Sequence, residues 1–130
     1  ALGLRAFLHL DVLRMFGPMP QTATDGTLAV PYVTEITNET SKLVSKTWGE
    51  VFTLMEKDLL DAKALLEEYD PVVTATMRQL EDTYYIGTEG MPEDEWQYFR
   101  HGRFNYYAVL GTLARMYHWK GDKEQAAAYD

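Results

Sequence analysis

The chain has 130 residues, a net charge of −8 and a hydrophobic content of 46%. That combination is typical of one folded domain with a buried core rather than of a disordered segment. The excess of acidic residues argues against nucleic-acid binding, which depends on Lys and Arg at the phosphates, and against charge-driven binding to anionic lipid. The chain lacks cysteine, which excludes disulfides, a thiol nucleophile and cysteine-ligated metals.

Apolar residues lie on nearly every side of the first predicted helix, residues 1–16. A helix of this kind is normally buried between neighbours, so Arg5, His9 and Asp11 are expected to be paired or to lie at an edge. Asp11 and Arg14, at i and i+3, can form a local ion pair. A Gly-Pro pair ends the helix, because proline cannot continue it.

The segment 21–46 is polar and rich in threonine, with an Asp-Gly turn signal near its centre. A short extended piece is predicted around Val30, Tyr32 and Val33, and Pro31 keeps that piece out of the centre of a sheet. A connection of this length is either a functional loop or a solvated crossover. The sequence leaves both alternatives open.

The clearest predicted helix covers residues 47–68. Thr47 and Glu50 have the spacing of a capping box, and a Tyr-Asp-Pro sequence ends the helix. Its acidic residues could indicate acid–base chemistry, but their spacing predicts a solvated helix face instead. The predicted apolar stripe consists of Val51, Leu54, Met55, Leu59, Ala62, Leu65 and Leu66.

Residues 72–102 are irregular and aromatic, and eight aromatic residues lie between Tyr84 and Tyr107. Pro92, followed by three acidic residues, predicts the first turn of a short helix. Aromatic faces beside planar polar groups are typical of sugar sites, although such rings also fill gaps between helices. The candidate ligand-binding residues are Trp96, Tyr84, Tyr85, Tyr98, Arg100 and Asn105.

The C-terminal segment predicts two helices, residues 105–119 and 123–129, that fold back on each other. Gly121 can close the first helix in the left-handed conformation, and Asp122 can cap the second. The order of large, small and aromatic residues is that of one tetratricopeptide hairpin. The predicted inner face of the first helix consists of Leu110, Leu113, Ala114 and Tyr117, with the small Ala126 opposite.

Three segments resemble the SusD/RagB family of outer-membrane nutrient-binding lipoproteins, in the family's order. The first segment carries Leu4, Arg5, Ala6, Phe16, Gly17 and Pro20, before a segment that contains proline. The second segment is KDLLDAKALL, residues 57–66. The third segment carries Gly102, Arg103, Ala108, Ala114, Arg115, Tyr117, Gly121, Asp122 and Ala126.

We therefore expect an all-α fold of antiparallel helix hairpins of tetratricopeptide type with long irregular loops. The chain is either a single helical domain, residues 1–130, or a fragment of a longer SusD-like chain, since it begins and ends inside predicted helices. Residues 1–16 should pair with 47–68, and residues 105–119 with 123–129. Stacked helix pairs of this type present broad surfaces to partners.

The resemblance implies a protein that captures glycans or other nutrients at the cell surface and delivers them to a SusC-type TonB-dependent transporter. It also implies an outward-facing location in the outer membrane, with lipid attachment through an N-terminal segment absent from this chain. The alternative is a tetratricopeptide-type protein-interaction module without a small ligand. No glycan contact can be matched residue by residue between the family and this chain.

The sequence contains no nucleophile elbow, phosphate loop or dinucleotide fingerprint, so we expect neither an enzyme nor a cofactor. We also expect no metal site, because none of His9, His101 and His118 has a second ligand at helical spacing. Structural roles are predicted for all three histidines. His118 falls in the last turn of its helix, where the dipole favours a positive charge.

Overall fold

Helices make up most of the chain, as predicted: 59% of it is helical and 5% is strand. The computed structural model describes residues 1–130 apart from the side chain of His101, whose predicted role therefore lies outside the described residues. The longer elements are α1 (Leu2–Phe16), β1 (Leu28–Pro31), β2 (Ser45–Thr47), α2 (Trp48–Tyr69), α3 (Met77–Leu80), α4 (Tyr106–Lys120) and α5 (Lys123–Ala128). Single 3-10 turns lie at Thr40–Lys42, Pro71–Val73, Thr83–Tyr85, Glu95–Gln97 and Arg100–Gly102.

The first two long helices, α1 and α2, pack against each other, as the sequence predicted. They run antiparallel, since the start of α1 lies against the C-terminal half of α2. A Cβ atom on Gly3 would come within 3.4 Å of Ala62, 3.0 Å of Val109 and 2.7 Å of Phe104. The absence of a side chain at Gly3 therefore allows α2 and the α4 region to converge on α1.

The expectation that α1 is buried on all sides is wrong. Gly3, Ala6, Leu10 and Leu13 are its buried residues. Leu8 remains 54% exposed and other apolar residues of this helix are exposed as well. The reason is that α2 and α4 both approach α1 from one side, which leaves the other side in contact with solvent. The composition of α1 alone could not show which of its sides is buried.

Local capping signals define the start and end of α2. The Thr47 side chain accepts from the Glu50 amide, and the Glu50 carboxylate accepts from the Thr47 amide at 2.8 Å, which completes the predicted capping box. Asp70 forms the C-cap, next to the proline that ends the helix. The structure thus agrees with the predicted limits of 47–68 to within about a residue at each end.

Helix α4 runs antiparallel to α2, since the Tyr106 hydroxyl donates a hydrogen bond to Glu67 and the Tyr117 hydroxyl donates one to Glu56. The buried face of α4 differs from the predicted one. Leu113 and Tyr117 are buried as expected, but Leu110 and Ala114 are only half-buried. The inner face is instead completed by Val109, Thr112 and Met116.

The turn between α4 and α5 has the predicted geometry. Gly121 adopts φ 90°, and the amide of Asp122 donates to the Tyr117 carbonyl at 2.9 Å. The Asp122 side chain then accepts from the Gln125 amide at 3.1 Å and caps α5. The Tyr129 ring stacks on Tyr117 with centroids 5.8 Å apart, so the short α5 is held against α4.

The polar connection contains a two-stranded antiparallel sheet in which Leu28 pairs with Thr47 and Pro31 with Ser45. The extended piece around Val30 was predicted, whereas β2 was not. Val30 and Tyr32 are buried in the hydrophobic core, so this part of the connection is structural. The core is formed by Ala6, Leu10, Leu13, Val30, Tyr32, Trp48, Val51, Phe52, Met55, Leu59, Ala62, Val109, Leu113, Met116 and Tyr117.

Candidate functional site

The four aromatic residues of the predicted ligand-binding set fall in a loop, residues 80–99, that we call the aromatic loop; Arg100 and Asn105 follow it. Tyr98 is fully buried at its centre. The Tyr98 hydroxyl lies 2.9 Å from the carbonyl oxygen of Tyr85 and 3.0 Å from that of Pro92, and its one proton is shared between these two acceptors. Tyr98 therefore holds these two parts of the loop together, and its buried ring offers no face to a ligand.

The end of the aromatic loop has an unusual backbone. Phe99 has φ 54°, in the left-handed region that non-glycine residues rarely occupy. The amide of Phe99 donates to the Leu80 carbonyl at 2.7 Å, which closes the loop on the end of α3. The strained backbone is therefore coupled to loop closure.

Two aromatic rings of the predicted ligand-binding set face solvent. Trp96 is 59% exposed and Tyr84 is 77% exposed. The half-buried Tyr85 meets Tyr84 edge-on, with ring centroids 5.3 Å apart. Arg103 donates from Nη1 to the Trp96 carbonyl at 3.0 Å, which fixes the backbone of Trp96 while its indole stays free. These are the rings of the predicted set that a ligand can reach.

The polar members of the predicted set have structural contacts. Arg100 donates from Nη2 to Asp70 Oδ2 at 3.0 Å, with the Asp70 side chain fully buried. Asn105 caps α4 by accepting from the Ala108 amide at 3.0 Å, and it donates to the Arg100 carbonyl. Together they tie the end of α2 to the start of α4, where Asp70 also accepts from the Tyr106 amide.

The turn predicted to begin at Pro92 begins later. The 3-10 turn covers Glu95–Gln97 with Asp94 as its N-cap. The carbonyl of Pro92 is occupied by the hydroxyl of Tyr98 and by the Gly87 amide. These longer-range bonds hold the backbone at Pro92 outside the turn, which local propensity could not indicate.

A buried polar cluster joins α1, the segment that follows β1, and α2. Arg5 donates to both oxygens of Asp58, at 2.6 and 2.7 Å, and the Tyr32 hydroxyl donates to Asp58 Oδ2 at 2.6 Å. The Asp58 residue is 5% exposed. Arg5 also donates to the Thr34 carbonyl at 3.1 Å, so one guanidinium links the connection to both helices. The predicted need for a partner to Arg5 is confirmed.

The ionisation of this cluster is fixed by its contacts. Burial opposes ionisation of Asp58, but hydrogen bonds from Arg5 and Tyr32 outweigh it and lower the pKa of Asp58. Burial and the hydrogen bond to Asp58 raise the pKa of Tyr32. Asp58 is therefore ionised and Tyr32 protonated at neutral pH, which suits a structural cluster better than a general base.

His9 extends the cluster as a neutral ring. Its Nε2 accepts from the Val33 amide at 2.9 Å, so the proton must lie on Nδ1, which donates to the Arg5 carbonyl at 2.8 Å. The centroid of the His9 ring lies 4.1 Å from the centroid of the Tyr32 ring. These hydrogen bonds agree with the structural role predicted for His9. His118 lies in the last turn of α4, as predicted, and is exposed.

Asp58 was missed by the sequence interpretation, although a signal was present. It lies three residues after Met55 and four before Ala62, on the apolar stripe of α2 rather than on its charged face. An acidic residue inside an apolar stripe requires a partner. Arg5 in α1 also requires a partner, so an ion pair between Arg5 and Asp58 could have been predicted.

Among the described residues, no group of three or more His, Asp or Glu side chains is placed to hold a metal ion. Likewise, no helix in the described part of the chain has the length and hydropathy needed to cross a membrane. No protein-family model, curated protein or solved structure matches the chain. The resemblance drawn from the sequence and the function that it implies are therefore predictions.

Proposed function

We propose that this protein is a SusD-like binding protein that captures neutral glycans at the cell surface, and that it is not an enzyme. The observation that carries the proposal is the pair of exposed rings, Trp96 and Tyr84, on a loop braced by buried Tyr98. Exposed aromatic faces stack on the apolar faces of sugar rings. A braced loop loses little conformational freedom on binding, which favours affinity.

Hydroxyl acceptors lie beside Trp96. Glu93, Asp94 and Glu95 precede it directly and are exposed. Their carboxylates can accept hydrogen bonds from sugar hydroxyls while the indole contacts the ring. An uncharged glycan neutralises no charge, so we expect its affinity to depend little on salt.

The residues that carry the family resemblance have linked roles. Arg5, from the Leu-Arg-Ala sequence in the first segment, pairs with Asp58 in the second segment. Gly121 and Asp122, from the third segment, form the turn between α4 and α5. The resemblance thus falls on residues that contact each other in the fold or form one of its turns.

The proposal includes the partner and the location that the resemblance implies. The protein would pass its ligand to a SusC-type TonB-dependent transporter, and it would face outward from the outer membrane with lipid attachment through a preceding N-terminal segment. The helices would form tetratricopeptide-type hairpins, with α1 and α2 as one unit and α4 and α5 as the next. The packing of α1 on α2 and of α5 on α4 supports this arrangement.

The test is isothermal titration calorimetry with neutral oligosaccharides, using α- and β-linked glucans as probes, because the Trp96→Ala protein lacks the tryptophan at the proposed site. Trp96→Ala should weaken binding about fivefold to tenfold, the magnitude of one aromatic contact. The matched control is Tyr107→Ala, which removes a ring that is 56% exposed on α4, outside the aromatic loop. Equal affinities for the parent, Trp96→Ala and Tyr107→Ala proteins, with folding intact, would exclude the aromatic loop as the glycan site.

A second candidate is a tetratricopeptide-type protein-interaction module without a small ligand. The observation that favours it is the α4–α5 hairpin, with its left-handed Gly121 and stacked Tyr117 and Tyr129. This alternative predicts no binding of any neutral glycan in the titration. It also predicts further hairpins with a period of about 34 residues in a longer chain.

A further inference from the structure

A groove lies where the C-terminal part of α1 meets α4 and α5. Its volume is about 540 Å³, within the range of roughly 300–1,000 Å³ that is usual for binding sites. It is separate from the aromatic loop and shares no residue with it. Its apolar walls come from Ala114, Trp119, Ala126 and Ala127, and the charged or polar lining from Arg14, Arg115, His118, Lys123 and Asp130.

The groove is basic although the chain as a whole carries a charge of −8. Arg14, Arg115 and Lys123 contribute positive charge to its lining, against one carboxylate from Asp130. Both arginines approach the same neighbouring carboxylate, since Asp11 Oδ1 lies 3.3 Å from Arg14 and 3.6 Å from Arg115. One Asp11 cannot neutralise two guanidinium groups, so positive charge remains for a ligand.

Trp119 supplies an independent observation. Its indole N–H is shielded from solvent and has no hydrogen-bond partner among the described residues. A buried donor that is left unpaired destabilises the folded protein, and a ligand that accepts from it removes that penalty. The Arg14 guanidinium lies 5.5 Å from the centre of the Trp119 ring, so the aromatic face is already occupied while the N–H is not.

The shape of the site favours an elongated ligand. A second cavity of about 340 Å³ is lined by Asp11, Arg14, Met15 and Trp119. It shares Arg14 and Trp119 with the groove, so the two cavities adjoin across the indole. The small side chains of Ala126 and Ala127 leave room for the backbone of a second chain to come close.

We propose that this groove binds an acidic peptide segment of a partner protein, with carboxylates interspersed among aliphatic side chains. The carboxylates pair with Arg14, Arg115 and Lys123, and the aliphatic side chains contact the alanines of the groove. A backbone carbonyl accepts from the Trp119 indole. A peptide supplies all three kinds of group along one chain, whereas an isolated anion supplies only the first.

The test is fluorescence polarisation with a labelled peptide of alternating Glu and Leu residues, alongside a peptide of alternating Lys and Leu. The protein should bind the acidic peptide and not the basic one, with affinity that falls as salt increases. Arg115→Gln should weaken binding up to about fivefold, the value of a partly exposed ion pair. Lys42→Gln, the same change of charge outside the groove, should leave binding unchanged.

Two further variants separate binding from folding. Trp119→Phe keeps an aromatic ring but removes the unpaired N–H, so it should weaken peptide binding about fivefold without loss of thermal stability. Ala127→Glu places a carboxylate in the groove and should abolish binding, whereas Ala128→Glu, on an exposed position outside the lining, should not.

Three outcomes would overturn the proposal: no binding of the acidic peptide, equal binding of the basic peptide, or full binding by Ala127→Glu. Complete competition by sodium glutarate at low concentration would also overturn it, since the site would then suit a small carboxylate. Trp96→Ala should leave peptide binding unchanged. The proposal of a peptide site in the groove and the proposal of a glycan site in the aromatic loop can therefore be refuted independently of each other.

Discussion

Replacing Asp58 by Asn should destabilise the fold more than any other substitution of a single charged residue in α2. Asp58 is buried and accepts two hydrogen bonds from Arg5 and one from Tyr32, all between 2.6 and 2.7 Å. The amide of Asn has nearly the same shape but no charge. The substitution therefore leaves the Arg5 guanidinium without a counter-ion and turns one acceptor into a donor.

The expected loss of folding stability depends on how far Arg5 and Asp58 are exposed to solvent. Breaking a buried ion pair by removing one partner costs about 3–5 kcal/mol. The Arg5 side chain keeps 28% of its surface exposed, so water can solvate part of the unpaired charge. We therefore expect about 3 kcal/mol, at the lower end of that range. With a urea dependence of about 1.5 kcal/mol per molar, the unfolding midpoint should fall by about 2 M.

The measurement is urea unfolding followed by circular dichroism, with Asp61→Asn as the matched control. Asp61 lies one turn further along α2, is exposed, and pairs with Lys57 at i, i+4. Its substitution should leave the midpoint nearly unchanged. If Asp58→Asn shifts the midpoint no more than Asp61→Asn does, the assigned role of the buried cluster is wrong.

The same cluster predicts a pH dependence. Because the pKa of Asp58 is lowered in the folded protein, its stabilisation is fully present above its unfolded pKa, about 3.9. It is lost as the pH falls through the lower, folded value. The stability difference between the parent and Asp58→Asn should therefore be constant near neutral pH and shrink below about pH 4.

A combined variant checks that the loss comes from the unpaired charge. Removing Arg5, Tyr32 and Asp58 together, as Arg5→Met, Tyr32→Phe and Asp58→Leu, leaves no buried polar group of the cluster without a partner. Replacement of a whole buried ion pair by apolar residues is often neutral or stabilising. This variant should thus be more stable than Asp58→Asn, and a larger loss would contradict the electrostatic explanation.

Two further stability predictions compare paired substitutions with different expected effects, each measured by thermal unfolding. Gly121→Ala should lower the free energy of unfolding by about 1–2 kcal/mol, because φ is 90° at Gly121. Gly111→Ala lies at an exposed helical position with open space around it, so it should raise the free energy of unfolding by about 0.5–1 kcal/mol. Stabilisation by both would show that Gly121 is not held in the left-handed conformation. Thr47→Ala should cost about 1 kcal/mol by removing the cap of α2, while Thr53→Ala, within the helix, should be nearly neutral. Equal losses for the two threonines would contradict the capping role.

Signals within a few residues of each other were sufficient to define the ends of the helices. The capping box of Thr47 and Glu50, the left-handed Gly121 and the cap at Asp122 all appear where the sequence placed them. The Asp11–Arg14 ion pair is also present at its predicted spacing. These features depend on backbone or side-chain groups at most about one helical turn away, so they can be inferred without knowledge of the tertiary structure.

The face that each helix buries required the tertiary structure. In α4, the stripe through Leu110 and Ala114 and the stripe through Val109 and Met116 satisfy the same helical spacing. Periodicity cannot choose between two neighbouring apolar stripes. The choice is made by tertiary packing, since α4 lies mainly against α2 and Val109 also approaches Gly3 of α1.

The roles of the candidate site residues also depended on long-range contacts. Tyr98 and Trp96 are both aromatic residues of the same loop, yet Tyr98 is fully buried and Trp96 is 59% exposed. The difference comes from the carbonyls of Tyr85 and Pro92, which only the folded loop brings to the Tyr98 hydroxyl. Similarly, Arg5 and Asp58 are 53 residues apart in the sequence, and only the antiparallel packing of α1 on α2 places the two charges in one buried cluster.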